Sequence, residues 1–435
     1  ISTPAAVPYG DWGRLESAWR LTSGHGVCAH FRVRLCLLVV IASLFCGDVF
    51  AQDDHSSSPS REEKSSPAPA QDDVQQAPHR WDWTGELSTA FGFNYQRRKF
   101  TDFQEWESQN WFMGTGTRST GRGTVTVASM LSLEPFTIQD LGSPQVFQTG
   151  EIFQRAPLID YQHPHDLLMQ LGVAYRHPLS ETALTFSGWL VGSPAFGPPV
   201  FMHRRSAVDN PQVPLSHHYQ DSTHISNGVL TVGLEVREFR FETSWFRGRE
   251  PDDNRTDIDT GPLDSWAGRV EWTRGSWRVQ FSGARLHEPE ILEPFDHTKL
   301  SASVMYSWRL VDATLAWGET REIHGNLDGY LFEAHAQLNT RNAMYGRAEL
   351  AAKDILDKGG FHPIGFQHPH RISRVAAFTA GYVHDFVVLR YGRVGVGADM
   401  TAYTISDNLR ESYGSPQSFH VFVRVRTDRP QGHVH

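Results

Sequence analysis

Histidine is heavily used in this chain, 22 times in 435 residues, and it gathers in short stretches rather than spreading evenly. "YQHPHDLL" supplies His163, His165 and Asp166, "FMHRR" supplies His203, "LSHHYQDSTH" supplies His217 and His218, and "FHPIGFQHPHR" supplies His368 and His370. Imidazole and carboxylate are ligands for zinc and copper, so these eight residues form one candidate metal set, with Zn or Cu as the expected ion. None of the stretches has the fixed ligand spacing of a known metal motif. The competing reading is a polar network that holds loops by hydrogen bonds.

A second chemistry is offered by "DSTHISNGV". On an extended chain His224 and Ser226 share a face and stand about 6 to 7 Å apart. An imidazole that takes the serine proton would create a nucleophile for acyl transfer. The stretch from His224 through Ser226 and Asn227 to Gly228 resembles the active-site strand of outer-membrane phospholipases A and, more loosely, of lipid A deacylases. That resemblance implies lipid hydrolysis on a lipid-facing wall, with His224 and Ser226 as the catalytic pair. It covers five residues, and no counterpart of the Asn or Glu that orients the imidazole is identifiable. The plain alternative is a loop turning into a strand.

What positions these residues is a period of two. In "HTKLSASVMYSWRL", Leu300, Ala302, Val304, Tyr306 and Trp308 share one face while Lys299, Ser301, Ser303 and Arg309 share the other. Fifteen such runs, many of them nine to eleven residues long, lie between 83 and 426, the length a tilted strand needs to cross a hydrocarbon layer. Short connections alternate with long ones, and Trp and Tyr collect toward the ends of the apolar stripes. The opposite face carries Glu235, Arg240, Glu242, Arg269, Glu271, Arg278, Lys299, Arg309, Glu333, His335, Arg347 and Glu349. A dry sandwich core could hold so many ions only at a cost of several kcal/mol each, whereas a watered lumen accommodates them. The fold class expected is therefore all-β, a closed antiparallel transmembrane barrel of about sixteen strands (range twelve to eighteen), with 143–149 as a short sixteenth strand and the charged residues lining a pore. The Pro-rich loop 192–228 is expected to fold into the mouth, carrying Arg204 and Arg205.

Upstream, Arg32 and Arg34 precede an apolar run from Leu35 to Phe45 and the small-residue pattern ending at Ala51, which reads as a signal peptide with a translated upstream extension before it (1–51). Residues 52–80 read as a disordered periplasmic linker, 81–427 as the barrel and 428–435 as a tail. The three cysteines, Cys28, Cys36 and Cys46, precede the cleavage point, so neither a disulfide framework nor a thiolate metal site is expected. A net charge of −9 without a basic domain argues against a nucleic-acid partner. Over 81–427 the layout resembles bacterial outer-membrane β-barrel proteins of the porin-like kind, although the chain ends in a tail rather than on a terminal aromatic residue. The resemblance implies outer-membrane lipid as partner and a channel for small polar solutes or ions with a His-rich external mouth. A lipid hydrolase and a plugged metal-binding or structural barrel are the alternatives.

Overall fold

An antiparallel sheet in an apolar solvent has to close, because lipid cannot satisfy the backbone groups of a free edge. The computed structural model describes residues 80–428 except 151, 155, 292–293, 324 and 357–370. The expected signal, linker and tail therefore lie outside the described residues apart from Arg80 and Asp428, as do His368 and His370.

Sixteen strands close on themselves. They are β1 (Asp82–Arg98), β2 (Thr101–Thr120), β3 (Gly123–Leu131), β4 (Leu168–Leu179), β5 (Thr182–Gly192), β6 (Ser226–Val236), β7 (Phe239–Phe246) and β8 (Ser265–Arg274). The second half comprises β9 (Trp277–Leu286), β10 (His297–Trp308), β11 (Val311–Glu322), β12 (Gly325–Gln337), β13 (Asn342–Lys353), β14 (Ser373–Val388), β15 (Gly392–Ile405) and β16 (Gln417–Thr427). Each strand pairs antiparallel with the next, and β16 returns to β1 from Ser88↔Arg426 to Arg97↔Gln417.

The burial pattern is that of a soluble protein turned inside out. Leu230, Phe281, Leu315, Phe332 and Phe378 are exposed on the outer face, while Ser301, Ser303, Glu333 and Arg347 are buried on the inner one. Exposed Trp245 and Trp266 are register partners near one rim, and exposed Trp277 and Trp308 stand near the other. At that second rim the connections 121–122, 180–181, 237–238, 275–276 and 309–310 are two residues long. Each opens with a residue whose φ lies between 51° and 59° (Gly121, Ser180, Arg237, Gly275, Arg309). Such turns match the right-handed twist of the strands they join. The long connections 132–167, 193–225, 247–264 and 287–296 all emerge at the first rim.

Two expectations need correcting. The strand missing from the sequence reading is β2, and 143–149 is not in the barrel: Ser143–Pro144 pairs with Tyr161–Gln162 as a separate ribbon. The pattern of β2 was obscured because Ser108 and Asn110 interrupt the outer apolar stripe between Trp106 and Phe112. There β3 has ended and the edge of β2 is covered by the loop instead: Thr137 Oγ1 donates to the Ser108 carbonyl at 2.7 Å and Asn110 Nδ2 to Thr137 Oγ1 at 3.1 Å. Arg309 is not on the inner wall. It occupies a turn, with its guanidinium 4.6 Å from the centre of the Trp308 ring.

Candidate pore constriction

Loop 193–225 combines buried apolar anchors (Ala195, Phe196, Phe201, Val213, Leu215) with buried Arg and Asp, so neither lipid nor open water suits it. It folds into the lumen. Ala195 N–H donates to Ser244 Oγ of β7 at 2.8 Å, and Gly197 N–H to Ser282 Oγ of β9 at 2.9 Å. Ser206 and Thr314 of β11 share a hydrogen bond of 2.6 Å. Ser216 Oγ donates to Glu349 of β13 at 3.0 Å, and Tyr219 donates to the Ala352 carbonyl at 2.5 Å. Lys299 Nζ and Lys353 Nζ reach in from the wall to the carbonyls of His218 (3.1 Å) and Leu215 (2.9 Å). The turn His217–Gln220 rests in a notch made by two glycines, Gly318 and Gly329, which face each other across β11 and β12.

The charges of loop and wall are matched. Arg204, with 0% of its side chain exposed, binds Glu333 of β12 at 2.6 Å and Asp221 of the loop at 2.7 Å, while Arg347 of β13 binds Glu333 at 3.2 Å. Asp209 meets Arg424 and Arg426 of β16 and His335 of β12, the last at 3.0 Å. Burial by itself would raise the Asp221 pKa, but His217 and Arg204 more than offset it and hold the group at about 2. Toward the turn end some of the inner charges face water. The Arg176–Glu235 pair (2.6 Å) leaves 50% and 27% of its side chains exposed, and Arg205, paired with Asp312 at 3.0 Å, leaves 53%. Arg269 and Arg240 share Glu242, and Arg278 binds Glu271 at 2.6 Å.

Above the constriction, His163, His165, Asp166, His217 and His224 line one pocket. Every ring there engages an acceptor through Nδ1: His165 on Glu134 (2.7 Å), His217 on Asp221 (2.6 Å), His224 on the Asp221 carbonyl (3.0 Å) and His163 on the Pro164 carbonyl (2.7 Å). The His224 ring centre lies 5.5 Å from that of His165 and 5.1 Å from that of His217. His218 packs on the far side of His217 at 5.3 Å, and His203 instead packs against Trp111 at 4.9 Å. Asp166 is ion-paired with Arg255 at 3.3 Å.

His224 and Ser226 do not form a couple. Ser226 Oγ donates to the Thr223 carbonyl at 2.9 Å, and His224 is turned among the other histidines. Counting back by two from the strand fails here because 222–224 is a 3-10 turn and Gly228 has φ +70°. The outward, side-by-side placement expected for His224 and Ser226 is therefore not the one they adopt.

Burial, with neighbouring cationic groups, holds His163, His218 and His224 well below the usual histidine range. His165 goes the other way: burial opposes its charge, but Glu134 raises its pKa. The signs give a pH window. The three depressed histidines favour the docked loops above about pH 6.5, and this contribution is lost as pH falls. The His165 contribution is already complete below that value. Asp166, raised to about 6 chiefly by burial, partly compensates as it protonates in the docked form. Burial raises the Asp160 carboxyl as well, so three depressed histidines stand against two raised carboxylates, and protease resistance of the inserted loops is expected to fall modestly between pH 7 and pH 5. Resistance that stays constant or rises would contradict this accounting.

Sequence reasoning did not single out Asp209, Glu134 or Arg424, because an isolated charge in an aperiodic loop or on one wall strand does not announce its partner across the lumen.

No protein-family model matches the chain, and no curated protein matches it. Solved structures do. OmpF of Salmonella typhi in complex with daunomycin superposes with a TM-score of 0.50 at 9% identity, covering 80% of this chain and 98% of that one. An anion-selective porin from Comamonas acidovorans gives a TM-score of 0.48 at 10% identity, covering 80% of this chain and 100% of that one. The likeness to OmpF is one of fold: the chain has the closed-barrel architecture of a bacterial outer-membrane porin.

Proposed function

We propose that the chain is an outer-membrane channel for small polar solutes or ions, with loop 193–225 as its constriction. The observation that carries this reading is the uneven seating of the loop. It is pinned along the wall at β7, β9 and β11–β13 and again at β16. Between it and β1–β2 lies a cavity of about 60 Å³, room for a few water molecules. Amides line that gap (Gln109, Asn110, Gln145, Gln162, Asn210, Gln212) beside the Trp111 ring. The charges that border it, Asp209, Arg424, Glu134 and His165, are all paired, which suits polar solutes better than a strongly charged one. The exposed apolar outer face and its aromatic rims support the membrane location.

Planar-bilayer recording of the purified protein tests the reading. Discrete conductance steps are expected, with ion preference altered by Arg269→Glu, which places like charge beside Glu242. A protein silent in the wild type that conducts only after deletion of 199–213 would instead be a plugged barrel. Silence in both forms would sink the channel. Phospholipid release that disappears in Ser226→Ala would favour the hydrolase, against the geometry of Ser226.

A further inference from the structure

We propose a divalent-cation site, of the zinc type, at Glu290, His297 and Glu322, separate from the histidine pocket and from the constriction. One donor atom from each of the three residues lies within 4.8 Å of the other two, a convergence of a kind that an ion can bridge with small side-chain rotations. The three come from different elements. His297 opens β10 and Glu322 closes β11, one step beyond the Thr298↔Arg321 register pair, so their side chains share the inner face of the hairpin. Glu290 comes from the connection 287–296.

The placement resembles a ligand set more than a surface salt bridge. His297 is 1% exposed, and Glu322 exposes 7% of its side chain. His297 Nε2 stands 3.9 Å from Glu322 Oε2, too far for a hydrogen bond. Two donors each about 2.0–2.2 Å from a common ion would stand somewhat closer together than that, so binding draws them in. Glu250 and Asp354 line the same cavity as the triad, which brings four carboxylates around one space. Lys299 also lines that cavity, its ammonium donating to the His218 carbonyl (3.1 Å) and Ser222 Oγ (3.0 Å) and contributing a positive charge beside the carboxylates. One imidazole with carboxylates and no thiolate suits Zn(II), with water completing the shell. The site opens at the loop rim, so the ion would arrive from the outer medium and tie the connection 287–296 to the β10–β11 hairpin.

The test uses the full chain without a histidine tag, refolded in detergent, stripped with a chelator and titrated with Zn(II) at pH 7 by calorimetry. One tight equivalent is expected. His297→Gln and Glu322→Gln are expected to weaken it by about tenfold or more, since loss of an outer-shell partner alone costs about 10- to 100-fold. X-ray absorption at the zinc edge is expected to show one imidazole among oxygen donors. Absence of Zn(II) binding, unchanged affinity in either folded variant, or a spectrum with several imidazoles would overturn the assignment, the last in favour of the histidine pocket. None of these readouts depends on whether the barrel conducts, so a failed channel reading leaves this test intact.

Discussion

Arg204→Leu is expected to release loop 193–225 from the wall, seen as larger and noisier conductance and as new protease cleavage within the loop. The guanidinium is fully buried and is the cation shared by Glu333 and Asp221. Removing it leaves Asp221 facing Glu333 across the loop–wall boundary, with Arg347 as the remaining guanidinium and the His217 ring as a hydrogen-bond partner of Asp221. Breaking a buried pair by removing one partner costs about 3–5 kcal/mol, because the other charge stays behind in a poor solvent. A loop docked by hydrogen bonds worth about 1 kcal/mol each has little reserve against such a loss. The neighbouring Arg205→Leu is the control. Its pair with Asp312 leaves the guanidinium half exposed, so the change should cost under about 1 kcal/mol and leave the loop seated. Wild-type conductance and protease resistance in Arg204→Leu would show that the charge match does not hold the loop.

The barrel was legible in the sequence because its solvent imposes a rule on every strand. Lipid outside and polar lumen inside make alternation nearly obligatory, and it gave up fifteen strands with their rims. The one strand it hid, β2, departs from the rule where Ser108 and Asn110 face a loop rather than lipid. Inner-wall charge was legible for the same reason, and Arg309 was misplaced because strand parity does not extend into a turn that bends at positive φ. The site was less readable. Composition suggested that loop 193–225 enters the mouth, but nothing local to Asp209 predicts Arg424, more than two hundred residues away. The histidines misled at His224, where a 3-10 turn breaks the period, and the three donors that converge include only one histidine, His297, which reads as an ordinary strand residue.

Gly318→Val is expected to have the second large effect, by a steric rather than an electrostatic route. Gly318 faces the lumen, since Thr314 and Ala316 on the same side of β11 are buried against the inserted loop while Leu315 points outward and is exposed. A Cβ at this position would collide with the Tyr219 carbonyl, and one at its cross-strand partner Gly329 would come within 2.6 Å of Ser216 Cβ. Both obstacles are fixed by backbone, so the turn His217–Gln220 must lift from its notch. Overpacking of this kind costs about 1–3 kcal/mol or more, while valine itself suits a strand. Lifting the turn also breaks the Tyr219 bond to the Ala352 carbonyl and draws Leu215 away from Lys353. The barrel should therefore assemble normally and still shift on heating, yet conduct more and lose protease resistance in 193–225. Gly114→Val on β2, where an added Cβ meets nothing within 4 Å, controls for the substitution and should match wild type. If Gly318→Val matched it too, the two-glycine notch would not be the seat of the loop, and the constriction would have to be held by its ion pairs and its hydrogen bonds to β7, β9 and β11.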